Sequence, residues 1–185
     1  MTKLAVCTIA IALGLGTAAL AQEMPPLPKP GPEHAILAQD VGTWDAVVEL
    51  VAGPPGTAPM TSKGVEVNTI GCGGLCLVTD FKGELMPGVA FTGHGTTTYD
   101  TISKKYVGSW VDSMSSGMAT SEGAYDPATK KVTGTMAARD MTGAMSKSRT
   151  VSEYLDADRR AMTMFSPMPD GKEMQTMRIS YTRRK

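Results

Sequence analysis

Net charge, cysteine, histidine and recognisable catalytic motifs are all scarce in this sequence. Eighteen Lys and Arg balance eighteen Asp and Glu, so there is no electrostatic footprint for nucleic acid. Three cysteines exclude a disulfide-dense mini-scaffold and a Cys-rich zinc module. His34 and His94 are the two histidines. So far apart, they form neither a two-His metal face nor a triad without other partners. No G-x-S-x-G elbow, H-E-x-x-H or phosphate loop occurs. A hydrolase or dehydrogenase is unsupported, and the chain reads as a non-enzyme with no metal site and no cofactor.

What is present is the length of one domain plus a short appendage, 185 residues with 42% hydrophobic content, enough for a folded core. The appendage comes first. Met1-Thr2-Lys3 is a short positive start, Leu4 to Leu20 carries no charge, and Ala19-Leu20-Ala21 supplies small residues for a signal peptidase. The reading is a signal peptide over 1–21, cleaved after Ala21, with no membrane anchor left behind. Cys7 sits inside the apolar stretch, which argues against a lipoprotein. Loss of Lys3 makes the mature chain net −1, and its destination is periplasmic or secreted, where disulfides persist. Residues 22–32 hold five prolines, Pro25, Pro26, Pro28, Pro30 and Pro32, and form an extended linker. A short helix is expected over 32–41, stopped by Gly42.

Cys72 and Cys76 are separated by three residues, which on a straight strand holds their Cα atoms about 13 Å apart. A disulfide needs less than about 7 Å, so a turn must intervene, and Gly73-Gly74 suits one. A structural disulfide, free thiols, and a metal or redox pair are the three readings. The redox motif has two intervening residues and opens a helix, which Gly-Gly opposes.

After Gly42 the pattern is strands and turns. Runs of Val, Thr, Ile, Tyr and Phe alternate with polar residues and are cut by Gly, Asp or Pro. Strands are predicted over 43–51, 63–71, 75–83, 88–98, 104–113, 117–125, 131–139, 145–154, 160–166 and 173–183. A weak repeat links Tyr99-Asp100 to Lys104-Lys105, Tyr125-Asp126 to Lys130-Lys131, and Tyr154 to Arg159-Arg160. It fits hairpins of similar build, with Asp in the turns rather than in catalysis. Such a meander removes its edges by closing into a barrel. The fold class is all-β: an up-and-down antiparallel barrel of 8–10 strands over residues 33–185, with a short N-terminal helix. A barrel of that size has room for side chains and one small ligand.

The helix followed by Gly42-Thr43-Trp44 resembles the start of lipocalin-like (calycin) barrels. Gly93-His94-Gly95, Thr98-Tyr99-Asp100, Tyr106, Trp110-Val111-Asp112-Ser113-Met114, Gly123 to Asp126 and Tyr181-Thr182-Arg183, in that order, resemble the bacterial family catalogued as domain of unknown function 1579. The resemblance spans residues 33 to 184. It implies a lipocalin-like barrel and no established activity or catalytic residue. It also implies closure of the first and last strands at one end, with the Arg183 cation over Trp44 as a structural pair. The Met enrichment and the Cys72/Cys76 pair depart from it.

Trp44, Phe91, Trp110, Met162 and Met164 are candidate lining residues, with His94 or Asp112 available to orient a polar end of a ligand. His94 reads either as a structural residue, as a ligand-binding group, or as the axial ligand of an enclosed haem. Asp112 shares a face with Trp110 and reads as a ligand anchor, or as a structural acceptor at the barrel mouth. Gly93, Gly95, Gly108, Ala119 and Ala137 are expected on the inner face, leaving space. The fourteen methionines include Met114/Met118, Met136/Met141/Met145, Met162/Met164/Met168 and Met174/Met177. They read as core or cavity lining, as an oxidisable surface, or as Cu(I) ligands. The leading expectation is an exported barrel that binds a small apolar molecule. The alternatives are a periplasmic Cu(I)-binding accessory protein, a small enzyme using His94 and Asp112, and a filled structural barrel acting through its surface.

Overall fold

The computed structural model describes residues 27–185, apart from 87 and 141. The expected signal peptide, and the linker up to residue 26, lie outside the described residues. Helix α1 (His34–Ala38) precedes ten strands: β1 (Gly42–Leu50), β2 (Met60–Gly71), β3 (Cys76–Met86), β4 (Val89–Asp100), β5 (Lys105–Asp112), β6 (Ala119–Asp126), β7 (Lys131–Arg139), β8 (Met145–Tyr154), β9 (Arg159–Pro167) and β10 (Glu173–Arg183). Each strand pairs antiparallel with its sequence neighbours, and β1 pairs with β10 to close the barrel. Closure satisfies both edges.

Short turns carry this up-and-down path. Asp100 accepts hydrogen bonds from the Ile102 N–H at 2.9 Å and the Ser103 hydroxyl at 2.6 Å. Asp126 does the same with Ala128 and Thr129. Both turns end on a lysine in the left-handed region, Lys104 at φ 55° and Lys130 at φ 56°. The repeated Asp and Lys positions are therefore one hairpin built twice. Asp156 accepts from the Asp158 N–H and the Arg159 guanidinium. Between β2 and β3, Cys72, Gly73 and Gly74 all take positive φ. That tight reversal brings the Cys72 and Cys76 Cα atoms to 5.5 Å, and the two are joined by a disulfide.

The two ends of the barrel differ. At one end α1 is a plug: Leu37 packs with Leu77 and Tyr106 in a buried cluster. The regular helix is shorter than the expected 32–41 because its flanks tighten into i→i+3 turns, with Ala35 bonded to Pro32 and Val41 to Ala38. Towards the other end a second cluster centres on Trp44, Ala46, Val48, Phe81, Ile179 and Tyr181. Cross-strand partners point to the same side of a sheet. The register Trp44–Glu66–Phe81–Gly93–Asp112 thus sets five residues on the inner face.

A cavity above a buried ionic floor

Side chains fill the lumen around Trp44 and beneath α1 but not throughout. A cavity of about 440 Å³ opens at the end opposite α1. Its wall includes Val48, Phe81, Phe91, Trp110, Ala119, Ile179 and six methionines: Met114, Met118, Met136, Met162, Met164 and Met177. Phe91, Trp110, Met162 and Met164 are thus brought together, and Asp112 lies among them. Trp44 is not among the lining residues; it is 1% exposed, deep in the core.

Trp110 shapes the wall. A Cβ placed on Gly93 would lie 2.1 Å from the indole, and one on Gly95 2.9 Å from it. These glycines make room for the Trp110 ring rather than for a ligand, which corrects the expectation that they leave free space. Ala137 is a second correction. Met136 and Ala138 line the cavity, so alternation turns Ala137 outward. The Trp110 Nε1–H donates to Asp112 Oδ2 at 3.1 Å. Asp112 Oδ1 accepts from the Met114 and Ser115 N–H groups, both at 2.9 Å. Asp112 therefore fixes both the indole and the rim loop that carries Met114 and Met118.

His94 does not face the lumen. It sits between two inward glycines, so alternation puts it outside, with its side chain 52% exposed and Nδ1 2.8 Å from Asp80 Oδ1. This corrects its candidacy as a ligand-binding residue, removes it as an inward axial ligand for haem, and separates it from Asp112 across the wall. His34 is buried at the plugged end, where its Nδ1 accepts the Gly31 N–H at 2.9 Å. Among the described residues no three His, Cys, Asp or Glu side chains gather as a metal site.

Glu66 and Tyr181 form part of the cavity lining, and beneath them lies a charged layer that the sequence reading missed. Arg160 pairs with Glu66 and stands 3.1 Å from Asp40. Its guanidinium lies 4.0 Å from the Tyr181 ring centre and 4.6 Å from that of Trp44. Asn68 donates to Glu66 at 2.7 Å. The Tyr154 hydroxyl donates to Asp40 at 3.0 Å. The Asp40 carbonyl accepts from the Trp44 indole at 2.7 Å and from Asn68 at 3.0 Å. Burial raises the Asp40 carboxyl above its ordinary pKa, against the opposing pull of Arg160. Burial alone would lower Arg160, but Asp40 and Glu66 outweigh it and hold it above its usual value. Burial likewise raises Tyr154 and Tyr181, and pushes Tyr106 up to about 12. One signal was available: Arg160 shares strand parity with Met162 and Met164.

Arg183 completes this end. Its guanidinium lies 4.1 Å from the Trp44 ring centre. Its N–H groups donate to the carbonyls of Gln39, Val41 and Ala157, so it clamps the chain leaving α1 onto the closing strand pair.

A ten-strand antiparallel barrel, plugged by a helix at one end and hollow at the other, is a lipocalin-like barrel. The chain belongs to the family described as Protein of unknown function (DUF1579), whose profile matches residues 29–183. No curated protein matches it in sequence. Among solved structures it is similar to Rv2717c from M. tuberculosis, with a TM-score of 0.60 and 12% identity, covering 84% of this chain and 99% of that one. It is also similar to the S-type phycobiliprotein lyase CPES from Guillardia theta, with a TM-score of 0.55 and 10% identity, covering 83% of this chain and 93% of that one. At these identities the likeness is one of fold.

Proposed function

We propose that this chain is an exported binding protein that holds a small, mostly apolar molecule in its barrel and performs no covalent chemistry on it. The cavity carries the reading. Its volume of about 440 Å³ falls within the roughly 300–1,000 Å³ of small-molecule sites. Its wall is predominantly aliphatic, aromatic and thioether carbon, and the polar atoms of Asp112 and Glu66 are engaged with protein partners. Water there finds few hydrogen bonds, so an apolar guest displaces it at little cost. Flexible methionines let the wall adapt to guests of different outline. The uncharged stretch before Ala21 and its small-residue cleavage site support export, to the periplasm or out of the cell.

The test uses N-phenyl-1-naphthylamine, a neutral fluorescent probe. Folded protein should take it up with micromolar affinity. Energy transfer from Trp110, which lines the cavity, should exceed that from Trp44, so Trp110→Phe changes the signal more than Trp44→Phe. Absence of uptake, or uptake indifferent to Trp110, would overturn the assignment. Mass analysis of whole-cell protein for processing after Ala21 tests export; a retained leader rejects it.

A further inference from the structure

We propose that Met162, Met164 and Met177 form a thioether site for a soft monovalent cation, Cu(I), on the β9–β10 wall of the cavity. The inference rests on the wall's geometry and does not require an apolar guest. Met177 of β10 is the cross-strand partner of Met164 of β9. Directly opposed residues hold their Cβ atoms about 4.5–5.5 Å apart. Met162 lies two residues along the same strand, on the same face, about 7 Å away in backbone rise. All three line the cavity. Three flexible thioethers on adjoining positions can converge on one ion without movement of the backbone.

The chemistry selects the ion. Thioether sulfur is a soft, neutral donor suited to Cu(I), whereas Zn(II), Mg(II) and Ca(II) prefer imidazole, thiolate or oxygen. Among the described residues no three His, Cys, Asp or Glu side chains offer those ions a site. Cys72 and Cys76 are joined to each other, and His94 is on the outer face beside Asp80. Because thioethers carry no charge, the bound ion stays cationic and needs negative surroundings. Glu66 is already paired with Arg160, and the remaining charges of the lining are the carboxylates Glu84 and Asp112 against one guanidinium, Arg139. Met114 and Met118 stand half-exposed on the rim and supply transient soft ligands on the way in.

The experiment titrates the folded protein anaerobically with Cu(I), kept reduced by ascorbate, in competition with bathocuproine disulfonate. Methyl groups of 13C-labelled methionine are followed by NMR. One Cu(I) per chain is expected, with the methyl signals of Met162, Met164 and Met177 moving together. Met164→Leu conserves volume and should weaken binding at least tenfold, while Met145→Leu, at an exposed position outside the cavity lining, leaves the equilibrium affinity within about twofold. Ag(I) should reproduce the same pattern of shifts. The proposal is overturned if no Cu(I) leaves the chelator. It is also overturned if the shifts are confined to Met114 and Met118, or if Met164→Leu binds as the parent does. Should Met164→Leu fail to fold by near-UV circular dichroism, the methyl shifts of the parent protein decide alone.

Discussion

Replacing Arg183 by alanine isolates the clamp that ties the plug to the barrel seam. Its guanidinium contributes a cation–π contact with Trp44 at 4.1 Å, worth about 0.5–2 kcal/mol. Its donors also meet the carbonyls of Gln39 at 2.9 Å and Ala157 at 3.1 Å, and that of Val41. Charge-assisted bonds contribute about 1.5–3 kcal/mol each when shielded. Here the side chain is 27% exposed, so water replaces part of that. The expected loss is about 2–4 kcal/mol. Arg184 is the control, because its pair with Asp45 is half-exposed on both sides, where water and salt screen the attraction. In urea titrations with unchanged slope, Arg183→Ala should lower the midpoint by about 1–2 M for a slope near 2 kcal/mol/M, and Arg184→Ala by much less. Arg183→Lys keeps the charge but not the fork, and should recover less than half of the loss. Gly42→Ala should mimic the loss, since Gly42 has φ 124° and a Cβ there would lie 2.8 Å from the Arg183 Nη1. Equal midpoints for Arg183→Ala and Arg184→Ala would refute the reasoning.

Gly93→Ala would put a methyl group 2.1 Å from the Trp110 ring. The indole must shift, at a cost of about 1–3 kcal/mol; Trp110 fluorescence and probe affinity should both change, and unaltered values for both would count against this packing. The raised Asp40 carboxyl makes the folded state hold its proton more tightly than the unfolded chain does. Its stabilising contribution is therefore complete below the unfolded pKa of about 3.9 and declines as pH rises through the folded value. The stability of the parent relative to Asp40→Asn should fall as pH rises from 4, in denaturant titrations across pH; a relative rise would show that Arg160 governs Asp40. Reduction of Cys72–Cys76 opens a very short loop, so it should cost only about 2 kcal/mol and leave the barrel folded. Circular dichroism with and without reductant tests this, and global unfolding on reduction would contradict it.

The period of two, the Asp turns and the Gly breaks are local properties, and they suffice to mark ten strands whose bounds agree with the structure to within a few residues. The up-and-down order follows because short turns leave each strand beside its predecessor, and counting to an even number sets Trp44 opposite Arg183 at the seam. Alternation also carried information left unused: inward Gly93 and Gly95 already turn His94 outward, and inward Met162 and Met164 already turn Arg160 inward. What the sequence could not decide is which face of a strand is buried when the usual polarity is reversed. In β2, Glu66 and Asn68 point inward while Val67 is 41% exposed. That reversal is stable because Arg160 reaches Glu66 from 94 residues away, and a buried carboxylate persists only with such a partner. The cavity has the same origin. Whether small residues leave a void depends on which large side chain lies over them, and Trp110 settles on Gly93 and Gly95 only once β4 and β5 pair in their native register. Periodicity is written along the chain, whereas charge compensation and free volume arise between segments distant in sequence and are decided by tertiary structure.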